Sequence, residues 1–218
     1  MFDAIDRALG LDWRSLLVWM NGLEIAHPLF MFAYLSFTLQ ASVTILVLAF
    51  CGHLVRLRVF MLSLALSALL CIAVSALLPA EGVWGYYKLT AADHAAIVPA
   101  TRELHLPIFH GLRDGTFRAL TGLNSEGIIT FPSFHAALGV VFMVALWPVP
   151  VLRWIGAVVN GVMIVATPID GGHYFIDVFA GIVVAWFCIV VARAAAARAG
   201  HASTAITAGK IPQVATSD

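Results

Sequence analysis

Two segments, Phe131-Pro132-Ser133-Phe134-His135 and Gly171-Gly172-His173-Tyr174-Phe175-Ile176-Asp177, decide how the chain is organised. Each segment opens an apolar run and places a histidine where that run begins. On a helix His173 and Asp177 share one face, so the carboxylate can orient the imidazole and leave one ring nitrogen free to attack. His135 can supply the proton that a leaving group needs. The pair of segments predicts phosphoryl-transfer chemistry at a membrane face, although each motif alone is also typical of ordinary helix structure.

The composition predicts an all-α integral membrane protein. Of the 218 residues, 61% are hydrophobic and 11% are charged, which is less than half the charge of an ordinary soluble domain. The formal net charge is zero and no cluster of Lys and Arg alternates with aromatic residues, so we expect a lipid partner and no nucleic acid. The composition does not indicate whether the protein is a monomer or an oligomer.

Metal and other cofactors are not expected. The three cysteines all lie in apolar runs, which argues against a disulfide framework or a Cys-based metal site. The loop histidines His94, His105 and His110 have spacings that match no compact ligand template.

Five apolar runs have about the length that crosses a bilayer, which takes ~20 residues. They are Leu29 to Cys51, Val59 to Leu78, Phe131 to Trp147, Val151 to Thr167 and Tyr174 to Val191. We therefore predict one domain over residues 1–195, a helical bundle of about five transmembrane helices, with a polar loop at 80–130. Residues 196–218 are expected to form a disordered tail, because they are rich in Ala, Ser and Thr.

Residues 1–27 mix polar side chains with tryptophans such as Trp13 and Trp19. We interpret this segment as an interfacial amphipathic helix with its tryptophans at headgroup level. A short sixth span that hides its polar side in the bundle remains an alternative.

The short connections fix the expected orientation, because positive charge there favours the cytoplasm. If the chain crosses the membrane five times, six basic residues all lie on one side of the membrane: Arg56, Arg58, Arg153, Arg193, Arg198 and Lys210. The 80–130 loop, His135 and His173 then share the opposite side. The expected location is a bacterial inner membrane with the site facing the periplasm.

The two motifs, FPSFHAA and GGHYFIDVFAG, resemble the second and third signatures of the type 2 phosphatidic acid phosphatase (PAP2) superfamily, PSxH and HxxxD. The sequences of the two motifs are most similar to those of the branch that includes inositol phosphorylceramide synthases. The resemblance covers roughly residues 80–195. The resemblance implies that His173 forms a phosphohistidine, Asp177 orients it and His135 is the acid. It also implies that Ser133 hydrogen-bonds a phosphate oxygen, while the backbone at Gly172 can approach an anion closely.

The chain departs from that superfamily at its phosphate-clamping cations. The first signature, a Lys followed after six residues by Arg-Pro, is absent after Lys88, and Ala166 and Thr167 stand where the third has Ser-Arg. Arg113 is the expected substitute, because a guanidinium suits phosphate. A solvated loop charge paired to Asp114 is the alternative for Arg113.

Three functions remain in competition. The first is a metal-independent lipid phosphatase that acts on a lipid phosphate monoester. The second is a phosphotransferase that moves a phospho-headgroup to an alcohol acceptor. The third is a non-catalytic lipid-binding membrane protein that kept the fold.

Overall fold

The computed structural model describes residues 1–101, 110–112, 114–116 and 129–208, with side chains described as far as Ala199. Within these ranges the chain forms helices and turns and no strand. The helices are α1 (Phe2–Ala8), α2 (Trp13–Asn21), α3 (His27–Leu35), α4 (Phe37–Phe50), α5 (Leu54–Leu77), α6 (Val83–Tyr86), a short 3₁₀ helix (Ala91–His94), α7 (Phe134–Leu146), α8 (Leu152–Asp170) and α9 (Phe175–Ala208).

The helices confirm a membrane-type, all-helical fold but not the number of spans. Among the described residues, α5, α8 and the part of α9 from Phe175 to Ala199 are each long and apolar enough to cross a membrane. Helices α3 and α4 qualify only as a pair, which makes three spans, or four if that pair is one. Helix α7 is apolar but has 13 residues, so it is about 20 Å long and short of the ~30 Å hydrocarbon core.

The first predicted span, Leu29 to Cys51, is broken at Ser36, where α3 and α4 meet at an angle of 56°. Ser36 Oγ donates a hydrogen bond to the Ala33 carbonyl oxygen at 2.8 Å. Such a local side-chain bond competes with regular helical bonding and accompanies bends. The break sets Tyr34 and Phe37 on either side of the bend, and both rings contact His135.

The core of the bundle lies between α4, α5, α7, α8 and α9. Helix α7 is its centre, because nine of its 13 residues are buried. They pack against Leu48, Phe60, Met163, Ala185 and Ile189 from the surrounding helices. This short central helix, packed against helices from several sides, places its first residues, including His135, at one end of the bundle.

The N-terminal segment forms two helices, α1 and α2, that pack onto the end of the bundle. Trp13 is 2% exposed rather than interfacial, and its indole N–H donates to the Pro168 carbonyl oxygen at 3.1 Å. Trp84 of α6 donates in the same way to the Ile169 carbonyl oxygen at 3.2 Å. These two donors satisfy carbonyls of the last turn of α8, which have no partner within a helix. Trp19 is 49% exposed, and its position at headgroup level stays a prediction.

The C-terminal segment is more helical than expected. Helix α9 continues past Val191 to Ala208, so residues 196–208 of the predicted disordered tail are helical. The run Ala194-Ala195-Ala196-Ala197 explains the extension, because alanine has the highest helix propensity.

The two motif histidines, His135 and His173, lie at the opposite end of the bundle from Arg56 and Arg193. His135 opens α7, whereas Trp147 follows its last residue and borders a groove with Arg56 and Arg193. The Trp147 ring contacts Trp154, with centroids 6.1 Å apart. Two of the arginines used to predict the orientation, Arg56 and Arg193, therefore lie at the end away from His135, whereas Arg7 and Arg14 belong to the N-terminal helices at the histidine end.

Candidate active site

The two histidine motifs are joined by backbone contacts between the start of α7 and the first turns of α9. The Ser133 N–H donates to the Asp177 carbonyl oxygen at 3.0 Å. One turn further along α9, a Cβ at Gly181 would overlap the Ser133 carbonyl oxygen. Glycine at position 181 thus permits the close approach of the two helices, a role that sequence analysis missed.

The His173 ring is buried, and its Nδ1 lies near two acceptors. The Thr130 carbonyl oxygen is 2.7 Å from Nδ1, and Asp177 Oδ2 is 3.5 Å away. Because a carbonyl oxygen can only accept, Nδ1 carries a proton in this geometry, and in the neutral tautomer the lone pair is on Nε2. His173 and Asp177 lie close together as predicted, but not on one helix face, because His173 precedes the first residue of α9. The closer orienting atom is the Thr130 carbonyl oxygen.

The Asp177 carboxylate is fully buried and holds the turn that leads into α9. Its Oδ2 accepts the backbone N–H of Tyr174 at 2.8 Å. Its Oδ1 is buried and has no hydrogen-bond partner among the described residues. One carboxylate therefore fixes both the helix start and the environment of the His173 ring.

His135 is held by aromatic rings. Its imidazole stacks on Tyr34, with ring centroids 4.0 Å apart and an interplanar angle of 18°, and Phe37 contacts it edge-on at 5.2 Å. Its Nε2 is buried and hydrogen-bonds to nothing in the described part of the chain. The hydrogen-bonding capacity of this nitrogen is therefore unused among the described residues.

Tyr34 links the two histidines. A Cβ at Gly171 would lie 2.9 Å from Tyr34 Oη and 2.6 Å from His173 Cδ2. The phenol and the His173 ring therefore border the same small space, which only glycine leaves open. Sequence analysis missed Tyr34, because nothing in the apolar run around it marks the residue.

Ser133 and Gly172, two predicted phosphate ligands, are engaged in internal contacts. Ser133 Oγ caps α7 by accepting the Ala136 N–H at 3.4 Å. Gly172 has a φ of +66°, and a Cβ there would come within 2.6 Å of Trp84 Cδ1. The Gly172 N–H donates to the Ile169 carbonyl oxygen at 3.3 Å. Both roles in phosphate binding stay predictions, and Arg113 lies outside the described residues.

The N–H groups of Phe175 and Ile176, at the start of α9, donate hydrogen bonds within the protein. Asp6 of α1, which is 2% exposed, accepts the N–H of Phe175 at 2.8 Å and that of Ile176 at 2.9 Å. Burial raises the pKa of the Asp6 carboxyl above its ordinary value, and the two backbone bonds oppose that effect only in part. The N-terminal helix thus caps the helix that carries Asp177.

A second buried histidine–carboxylate pair adjoins the site. His27 Nε2 lies 3.2 Å from Asp170 Oδ1, and the Ala100 N–H donates to the same oxygen at 3.2 Å. The Asp170 carbonyl oxygen accepts the Thr101 N–H at 2.8 Å. The two hydrogen bonds link the 100–101 segment to the turn that carries His173, and the His27–Asp170 contact brings α3 against the same turn. Sequence analysis missed the pair, because its members lie far apart in the chain.

No cluster of three or more His, Cys, Asp or Glu residues that could hold a metal ion occurs within the described ranges. His94 instead bonds the Ile97 carbonyl oxygen through Nδ1 at 3.0 Å, and His110 Nε2 lies 3.7 Å from Glu81 Oε1. His105 lies outside the described residues.

Comparison with known proteins gives one family. The family model of the PAP2 superfamily matches residues 2–191. Searches of curated proteins and of solved structures find no significant match.

Proposed function

Because the chain belongs to the PAP2 superfamily, we propose that it is a membrane enzyme that hydrolyses a lipid phosphate monoester through a phosphohistidine at His173. Phosphatase or phosphotransferase chemistry is general in that superfamily. The observation that carries the proposal is the state of the two histidines. His173 has its Nδ1 bonded to the Thr130 carbonyl, whereas His135 has an Nε2 without a partner in the described part of the chain.

In the first step, His173 Nε2 attacks phosphorus and the bond from phosphorus to the lipid oxygen breaks. His135 gives its proton to the departing oxygen, which leaves as an alcohol. In the second step, His135 takes a proton from water, the water oxygen attacks phosphorus, and the bond from phosphorus to Nε2 breaks. The Asp177 carboxylate stabilises the positive charge on the His173 ring while phosphate is attached.

The phosphate clamp differs from that of the superfamily signature. Ala166 and Thr167 are fully buried, and Thr167 Oγ1 donates to the Met163 carbonyl oxygen at 2.7 Å. An Arg side chain would not fit the Thr167 site without displacing its neighbours. We assign the clamp to Arg113, with contacts from Ser133 and the backbone at Gly172.

The altered clamp also favours a second function within the same chemistry. An alcohol acceptor in place of water in the second step would make the protein a phosphotransferase, as in the inositol phosphorylceramide synthase branch. A non-catalytic lipid-binding protein is the contrasting possibility.

We place the enzyme in a bacterial inner membrane with both histidines on the periplasmic side. The arginines at the other end of the bundle support this orientation through the excess of positive charge in cytoplasmic loops. The mechanism uses imidazoles alone and needs no metal.

The deciding experiment is product identification. Purified protein is incubated with a panel of lipid phosphate monoesters and diesters, with and without alcohol acceptors. Free phosphate from a monoester supports the phosphatase, and a new phosphodiester that depends on the acceptor supports the transferase. If wild-type protein gives no more product than His173→Ala with any lipid, the enzymatic proposal is wrong.

A further inference from the structure

The end of the bundle away from the histidines contains two apolar grooves that meet at two arginines. One groove, of about 380 Å³, lies between α5, α7 and α9. The other, of about 610 Å³, lies between α7, α8 and α9. Arg56 of α5, Arg193 of α9 and Val144 of α7 line both grooves.

These two arginines have no carboxylate partner within the described residues. Arg56 and Arg193 are exposed, and no ion pair includes either of them in the described ranges. The sequence explains why. It has no Asp or Glu between Glu24 and Glu81 or between Asp177 and Asp218, so neither α5 nor α9 beyond its first turn brings a carboxylate to this end.

We propose that Arg56 and Arg193 bind the phosphate of an anionic diacyl phospholipid, with one acyl chain in each groove. Two guanidiniums suit one phosphate, since each can donate two parallel hydrogen bonds. The groove walls are formed almost entirely by apolar side chains such as Phe60, Met143 and Ile182. Basic pockets between transmembrane helices are a recognised setting for anionic lipid headgroups.

This site is separate from the candidate active site and does not depend on the proposed hydrolysis. His135 begins α7, whereas Val144 lies near its end. The distance along the helix is about 13 Å for nine residues. A lipid bound there would be a structural ligand at the arginine end of the bundle rather than a substrate.

The test measures binding of phosphatidylglycerol and of phosphatidylcholine to purified protein in detergent by native mass spectrometry. We expect clear preference for phosphatidylglycerol. The double variant Arg56→Gln/Arg193→Gln should bind it about 30-fold more weakly, since each basic residue contributes about fivefold. The matched control, Arg58→Gln/Arg198→Gln, removes two exposed arginines that do not line the grooves and should bind like wild type.

A second pair of variants tests the grooves. Val144→Trp fills the wall that both grooves share and should weaken binding of phosphatidylglycerol. Val158→Trp, at an exposed position of α8 outside the grooves, should not. Binding in His173→Ala should equal that of wild type. Equal affinity for the two lipids, equal loss in the arginine control, or loss in His173→Ala would overturn the proposal.

Discussion

Gly181→Ala is the substitution that most directly tests how the fold holds the two histidines together. The added Cβ would overlap the Ser133 carbonyl oxygen, which is backbone and cannot rotate away. Relief requires that the start of α7 move from α9. That movement lengthens the hydrogen bond from Ser133 N–H to the Asp177 carbonyl oxygen, which is 3.0 Å in the structure.

The magnitude follows from three contributions. Forcing an extra carbon into a packed contact costs about 1–3 kcal/mol, and loss of the backbone hydrogen bond adds roughly 1 kcal/mol. Replacing a helical glycine by alanine returns up to about 1 kcal/mol. The net loss in the free energy of unfolding is therefore about 1–3 kcal/mol. For a chain of this length each kcal/mol shifts the melting temperature by about 2–4 °C.

Gly161→Ala is the matched control, because Gly161 also lies in a helix and a Cβ there meets no atom within 4 Å. We expect it to match or exceed wild type in melting temperature, measured on detergent-solubilised protein by the loss of monodisperse protein on heating. Gly181→Ala should melt several degrees lower. It should also lose turnover at temperatures where it remains folded, because His135 moves from His173. If Gly181→Ala matches Gly161→Ala in stability and turnover, the close contact between α7 and α9 does not position the site.

Three further predictions address the chemistry, the N-terminal cap and the orientation. Turnover should survive EDTA and be blocked by orthovanadate, a mimic of five-coordinate phosphorus; loss in EDTA that a divalent cation restores would contradict a metal-free mechanism. Asp6→Ala removes the acceptor of two backbone N–H groups at the start of α9. It should lower the free energy of unfolding by roughly 2 kcal/mol. Asp6→Asn keeps one acceptor oxygen and should lower the free energy of unfolding by less. Gly122→Cys, in protein without the native cysteines, should react with an impermeant thiol reagent in intact cells, and labelling only after lysis would mean that the orientation is inverted.

The length of the apolar runs in the sequence was sufficient to predict the long helices. Helix α5 covers Leu54–Leu77, against a predicted span of Val59 to Leu78, and α8 and α9 begin within one residue of the predicted positions. The break at Ser36 was not predictable, because serine is compatible with a helix interior and only the fold decides whether its hydroxyl bonds locally. A bend of this kind has no signature in hydropathy.

The pairing of His173 with Asp177 was predictable because it is local, the two residues being four positions apart in the chain, although His173 precedes the first residue of α9 and does not lie on its face. The Thr130 carbonyl was not, because a backbone oxygen leaves no trace in residue type. Asp6 and Tyr34 were missed for a related reason. Each reaches the site through contacts between distant parts of the chain, and a single sequence does not encode such contacts in its spacing.

The central claim, that His173 is the nucleophile, is tested most directly by trapping the phosphoenzyme. An aryl phosphate labelled with ³²P is mixed with wild type, His135→Ala and His173→Ala, and the reaction is quenched in base, because phosphohistidine survives alkali but not acid. An aryl leaving group needs little help from an acid, so wild type and His135→Ala should both carry label, which mass spectrometry should locate at His173. The His173→Ala protein should carry none. Label that persists in His173→Ala, or that is lost only in His135→Ala, would contradict the assignment of the two histidines.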